Sequence, residues 1–165
     1  RDDLRWKRMW NTLLDFKIGN EKLARSMDAF FLDKLPARTL LFPHAIEVLE
    51  YLRNKDYALH LITNGFETTQ HSKLKHSGLT GFFEKVITSE GSNSLKPHKQ
   101  IFDYALSKTG ATKKESIMLG DDIEADIVGA KNAGIDQVYI NHKHITPPLQ
   151  PTYTVYTLKE LENIF

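Results

Sequence analysis

The chain contains no cysteine. That excludes disulfides and thiolate metal sites. No apolar run approaches the ~20 residues of a membrane-spanning helix. Neither sign of charge dominates: 22 Lys and Arg stand against 21 Asp and Glu, for a net +1. Such a balance gives no electrostatic footprint for nucleic acid or an acidic membrane surface, so neither is expected as a partner. The longest basic cluster, from His71 to His76, reads as a solvated helix face. The seven histidines show no spacing that suits a metal site. The absence of cysteine together with a soluble composition fits a cytoplasmic protein. The first residues, from Arg1 to Trp10, resemble neither a signal peptide nor an ordinary start, and Arg1 is expected not to be the natural beginning.

What is present suits one domain with a core: 165 residues, 41% hydrophobic and 26% charged. Residues 3–16 place Leu4, Met9, Trp10, Leu13 and Leu14 at near-helical spacing, and residues 21–35 repeat the pattern up to Pro36. This predicts an antiparallel helix pair, residues 1–35, whose large apolar groups form a subdomain core or, for some faces, line a pocket. From residue 36 to 165 the pattern alternates. Pro43 opens a helix carrying Ile46, Leu49 and Leu52. Strands are expected at Tyr57–Ile62, Lys85–Thr88, Ser116–Leu119, Gln137–Ile140 and Tyr153–Tyr156. Helices are expected at Glu67–His76, Gln100–Thr109, Glu124–Ala133 and Leu158–Phe165. Residues 142–151, with three prolines, read as a loop. Alternating strands and helices predict an α/β fold with a parallel sheet between helical layers.

Polar residues mark the ends of three of these strands. Thr63-Asn64-Gly65 can hold an anion through a hydroxyl and backbone N–H groups, or can be a plain Asn-Gly turn. Lys96-Pro97 places an ammonium next to a helix start, although a lone Lys before Pro is more often a surface residue. Asp121, Asp122 and Asp126 gather carboxylates after a buried strand. That suits a hard cation such as Mg²⁺, or a helix cap. Each signal is weak alone. In this order, each at a strand-to-helix junction, they form what a phosphoryl group requires: a hydroxyl, an ammonium and an acid cluster.

The runs Thr63-Asn64-Gly65, Lys96-Pro97 and Gly120-Asp121 through Asp126 resemble the second, third and fourth motifs of the haloacid dehalogenase (HAD) superfamily. The likeness extends over roughly residues 40–141. The leading helices look like part of a C1-type cap, which makes 1–35 a partial cap subdomain and 36–165 the α/β core. Thr63-Asn64-Gly65-Phe66 with Gln70 is similar to the branch of pyrimidine 5'-nucleotidase-like phosphatases. By this resemblance Thr63, Asn64, Gly65 and Lys96 bind phosphate, and Thr63 and Lys96 act in catalysis. Asp121, Asp122 and Asp126 belong to a Mg²⁺ site, with Asp126 acting through water or by orienting Lys96.

The resemblance implies a Mg²⁺-dependent phosphohydrolase acting on a small phosphorylated metabolite through an aspartyl-phosphate, with nucleoside 5'-monophosphates among the candidates. The family's first motif, an apolar strand ending in Asp-x-Asp, is not seen; the nearest imitation, at Asp33, is followed two positions on by Leu35. Three expectations follow from that. The sheet lacks its first, central strand, so the strands ending at Thr63 and at Leu119 are not directly paired. An N-terminal segment or another chain completes the sheet. Alone, the chain is inactive. Two alternatives are a non-catalytic module binding phosphate and Mg²⁺, and a 2-haloacid dehalogenase, which the acid cluster disfavours. Asn93 stands where the family often has Gly before the Lys, and is expected to adopt left-handed backbone.

Overall fold

The computed structural model describes residues 2–37 and 40–165. It opens with α1 (Asp2–Arg5), α2 (Lys7–Asp15) and α3 (Glu21–Lys34). Asn20 caps α3, its side chain accepting the Leu23 N–H at 2.9 Å. The seam between α2 and α3 is less apolar than the sequence suggests. Leu13 and Ala24 are buried, but so is Asp28, which accepts from Arg5 Nε at 3.0 Å and lies 3.6 Å from Arg8. Arg25 lies 4.0 Å from the centre of the Trp6 ring. Phe16 and Phe30 point outward, 73% and 65% exposed. Two helices can bury only the seam they share, so the remaining aromatic groups stay at the surface. A 3₁₀ turn, Leu35–Ala37, follows.

The α/β part begins with α4 (Ala45–Asn54), β1 (His60–Thr63), α5 (Glu67–His76), β2 (Lys85–Thr88), α6 (Ser89–Ser92) and α7 (Lys99–Thr109). It continues with β3 (Ile117–Gly120), a π-helical turn (Ile123–Val128), α8 (Gly129–Ala133), β4 (Asp136–Ile140) and β5 (Tyr153–Val155). The chain closes with a 3₁₀ segment, Leu158–Asn163, where an α-helix was expected. The strands match the sequence pattern closely, except that β1 starts three residues late. Pro43 precedes α4 instead of entering it, because His44 takes the N-cap with φ of 64°. Asn93 does adopt left-handed backbone, with φ of 50° and ψ of 31°.

All strand pairs are parallel. Two apolar layers enclose them. On one side Ile101, Phe102 and Ala105 of α7 pack with Ala130 and Ala133 of α8, Ile87 of β2, Ile62 of β1 and Met118 of β3. On the other, Val48 and Leu52 of α4 pack with Val138, Val155 and Leu161, and reach Leu59, Ile117 and Leu119. Each helical layer therefore covers strands from both ends of the chain. The sheet itself is divided: β1–β2 forms one part and β3–β4–β5 the other, with no ladder joining β1 to β3 among the described residues. This agrees with the expectation that the strands ending at Thr63 and Leu119 are not directly paired. Among the described residues no helix is long and apolar enough to cross a membrane.

Candidate active site

The three polar strand ends converge at the carboxyl edge of the divided sheet, where ligands bind in open α/β folds. Their meeting point is Lys96. Its ammonium donates to the Ile62 carbonyl of β1 at 2.9 Å and to Asp126 Oδ1 at 2.6 Å. The two side chains are 12% and 7% exposed. Charge-assisted bonds in so dry a place are strong and geometrically demanding. This ion pair also ties the β1 side of the sheet to the turn that follows β3.

The Lys96 backbone is fixed as firmly as its side chain. Asn64 Nδ2 donates to the Lys96 carbonyl at 3.0 Å, and the Lys96 N–H donates to Asn64 Oδ1 at 2.7 Å. The Asn64 amide is thus engaged with the main chain of Lys96. It holds the lysine loop against the threonine loop, a different task from the phosphate contact the family resemblance implies for it. Ser89, buried at the start of α6, donates its hydroxyl to the Asn64 carbonyl at 3.2 Å. Glu90 accepts the Glu67 N–H at 2.7 Å and so caps α5. Sequence reading did not single out Ser89 or Glu90. A Ser-Glu pair at a strand end is an ordinary cap, and its partners lie more than twenty residues away.

Thr63 Oγ1 accepts the Gly65 N–H at 3.1 Å. Its own hydroxyl proton has no acceptor among the described residues, so Thr63 can donate to an incoming oxygen. Gly65 is needed because the Gln70 side chain occupies the space a Cβ would fill. Gly120 is needed for the same reason: the Asp126 carboxylate lies over it. A third close approach links the lysine loop to α8, where a Cβ on Gly129 would come within 2.9 Å of the Pro97 Cα. The Lys96–Pro97 peptide is cis, and α7 begins two residues later, with His98 as its N-cap.

The three aspartates occupy three distinct situations. Asp126 is buried, bonded to Lys96, and its second oxygen accepts the Asp122 N–H at 3.2 Å. Asp122 is the N-cap of the π-helical turn and accepts the Ala125 N–H at 2.8 Å. Asp121 is exposed and makes no hydrogen bond or ion pair among the described residues. No group of three or more acids and histidines among those residues is arranged to enclose a metal ion. The geometry therefore separates the acids into a lysine-positioning carboxylate, a helix cap and one outward carboxylate. Nearby, burial first and then the Asp121 and Asp122 charges push the Tyr139 phenol above its usual range. A separate cleft of about 310 Å³, lined by Phe42, His44, Ile140, His142, Tyr156 and Lys159 among others, shares none of these site residues.

Comparison with known proteins bears on the family and the fold. The profile of haloacid dehalogenase-like hydrolases matches residues 11–140. Pyrimidine 5'-nucleotidase YjjG of Escherichia coli K12 is 38% identical over 125 residues, covering 74% of this chain and 55% of the relative. Glyceraldehyde 3-phosphate phosphatase of Methanothermobacter thermautotrophicus is 34% identical over 139 residues, covering 82% and 61%. A crystal structure of the HAD-hydrolase YfnB of Bacillus subtilis, bound to magnesium, superposes with a TM-score of 0.90 at 27% identity, covering 99% of this chain and 71% of that one. The chain spans about half the length of the pyrimidine nucleotidases it matches. With the fold, the motif order and these matches in agreement, the chain belongs to the haloacid dehalogenase-like hydrolase family.

Proposed function

We propose that this chain carries the phosphate-binding and cation-binding part of a Mg²⁺-dependent phosphohydrolase for small phosphorylated metabolites. The observation that supports it is the Lys96 ammonium, held by Ile62 and Asp126 at the carboxyl edge, with a donor-ready Thr63 hydroxyl on the neighbouring strand end. Lys96 offsets phosphate charge, and Thr63 donates to a phosphate oxygen. Gly65 lets the chain turn closely enough for backbone N–H groups to approach that oxygen. Asn64 keeps the two loops in register.

Magnesium takes one or two protein carboxylates, waters and substrate oxygens. Asp121, exposed at the end of β3, fits that donor set, and Asp122 lies beside it as a weaker candidate. Asp126 contributes through Lys96. When bound, the cation would neutralise charge on the phosphoryl oxygens. Turnover through an aspartyl-phosphate requires a nucleophilic aspartate facing Lys96, and none of the aspartates described here is assigned that role.

Relatives named for a pyrimidine nucleotidase, a glyceraldehyde 3-phosphate phosphatase and a phosphoserine phosphatase share only the phosphate monoester among their substrates. Pyrimidine nucleoside 5'-monophosphates are the first class to try. The test is phosphate release from these and from p-nitrophenyl phosphate, with Mg²⁺ and with EDTA. In the intact protein, with a nucleophilic aspartate present, Asp121→Asn is expected to reduce release at least about 100-fold, the scale for losing a stabiliser of developing charge. Release within a few-fold of wild type overturns the metal assignment. The non-catalytic reading is favoured by Asp126 being the only acid bonded to Lys96 among the described residues. It predicts Mg²⁺-dependent phosphate binding, weakened by Thr63→Val, with no turnover.

A further inference from the structure

The threonine loop carries a reactive pair that the phosphatase reading does not use. Of the asparagines in the chain only Asn64 is followed by glycine. Glycine has no Cβ to hold its main-chain nitrogen away from the preceding side chain, so Asn-Gly cyclises more readily than other Asn pairs. The Gly65 nitrogen attacks Asn64 Cγ, the new C–N bond closes a succinimide ring, and the side-chain nitrogen leaves as ammonia. Gly65 gives its N–H proton to solvent, and the departing nitrogen takes one up. Water then opens the ring at either carbonyl. One opening gives aspartate. The other gives isoaspartate, in which the main chain runs through the former side chain.

Asn64 is exposed, so water reaches it. The fold nevertheless restrains both reacting groups. Asn64 Nδ2 donates to the Lys96 carbonyl at 3.0 Å, and Asn64 Oδ1 accepts the Lys96 N–H at 2.7 Å. A carboxamide held at both ends is not free to rotate its Cγ onto the Gly65 nitrogen. The Gly65 N–H is itself committed to Thr63 Oγ1 at 3.1 Å. Ser89 adds a further bond, donating to the Asn64 main-chain carbonyl at 3.2 Å. Cyclisation therefore waits for these contacts to open, and contacts in an exposed loop open locally, without global unfolding.

The same contacts decide what the products do. Aspartate keeps an acceptor for the Lys96 N–H but sets a carboxylate oxygen against the Lys96 carbonyl where a donor stood. Isoaspartate lengthens the main chain before Gly65 by one carbon and turns the carbonyl that Ser89 holds into a carboxylate. Loss of ammonia to water makes either change one-way. We propose that Asn64 is a spontaneous deamidation site, timed by the opening of its clasp on Lys96, and that its conversion permanently unfastens the lysine loop from the threonine loop. The added negative charge also opposes a bound phosphate, a consequence that rests on the phosphatase reading.

The experiment follows Asn64 in the intact protein and in a free peptide spanning residues 60–70, in the same mildly alkaline buffer. Peptide mapping by mass spectrometry counts the conversion. Endoproteinase Asp-N, which cuts before aspartate and not before isoaspartate, separates the products. Conversion in the folded protein is expected to be slower by about tenfold or more, the scale of two net hydrogen bonds. It is expected to quicken in urea well below the unfolding transition, and to quicken several-fold in Ser89→Ala. Should that variant not fold, the urea series on the wild type answers the same question. In the deamidated protein, hydrogen exchange is expected to rise at the amides of Gly65 and Lys96 and to stay unchanged in β4. Three results overturn the proposal. Asn64 converts within about twofold of the peptide rate, so that no clasp restrains it. Conversion quickens only as the whole protein unfolds, which would time it by global stability. Or the Gly65 and Lys96 amides exchange alike before and after deamidation. None of these readouts involves phosphate. Weaker binding of inorganic phosphate by the deamidated protein is also expected; if the parent binds none either, the phosphatase reading fails and the deamidation site stands.

Discussion

The two parts of the sheet run in the same direction and are roofed by the same helices, yet they are buried very differently. In β4, Gln137, Val138 and Tyr139 are buried, and the strand is paired on both edges. In β1 no residue is fully buried, and among the described residues β2 is its only strand partner. The polar residues of the candidate site lie at the strand ends that border the opening, β1 and β3, and not at the well-packed interior strand. A strand paired on both sides offers a ligand only its end. One at an opening is held there by side chains, and here those side chains belong to the site itself. Lys96, Asp126 and Asn64 belong to the candidate site and also fasten its loops together.

The strongest way to break that comparison is Asp126→Ala. It leaves the Lys96 ammonium buried with only the Ile62 carbonyl as partner. Removing one member of a buried pair costs about 3 kcal/mol. Urea unfolding should show a loss of that order, with exchange rising at the amides of both β1 and β3. A loss below about 1 kcal/mol would mean that the two parts are held by the helices alone. Asn64→Ala is next. It removes two hydrogen bonds to the Lys96 main chain from a side chain that is itself exposed, and a cost of about 1–2 kcal/mol is expected. Faster exchange should be confined to residues 93–98 and the Thr63 loop, with β4 and β5 unaffected. Equal loosening across β3–β4–β5 would show that the clasp is not local.

The smallest effect concerns pH. His60 lies on the open edge of β1, and its Nδ1 is buried without a hydrogen-bond partner. Burial holds its pKa below the ordinary value, against a smaller opposing pull from Glu84. Stability linked to His60 is complete above its unfolded pKa of about 6.5 and is lost as pH falls below that value, because the unfolded chain takes up the proton more readily. Urea midpoints measured from pH 7.5 down to 5.5 should decline more steeply for the wild type than for His60→Phe. Parallel slopes would remove His60 from the account.

Much of the α/β part was legible because its signals are local. Short apolar runs such as Ile117-Met118-Leu119, closed by Gly120 and acid, announce buried strands at single-strand resolution. Asn93, which stands where the family resemblance puts a Gly, takes the left-handed backbone that Asn tolerates better than most residues. In the helix pair, spacing places Leu and Phe on faces without saying whether anything covers those faces. Asp28 fills part of the seam through Arg5, which lies on a different helix. The three aspartates look alike in sequence; only the fold distributes them between a lysine, a cap and solvent.

By itself the sequence determined the parallel α/β class, the order of the strand ends and the residue types that meet there, since periodicity, glycine placement and motif order are properties of neighbouring residues. The tertiary structure alone decided that the Asn64 amide clasps Lys96, that Asp126 serves the lysine, and that β1 and β3 stand apart with unpaired edges. Those facts depend on contacts across thirty or more residues, where a hydrogen bond of 3 Å is fixed by how whole layers pack and not by any local preference of the chain.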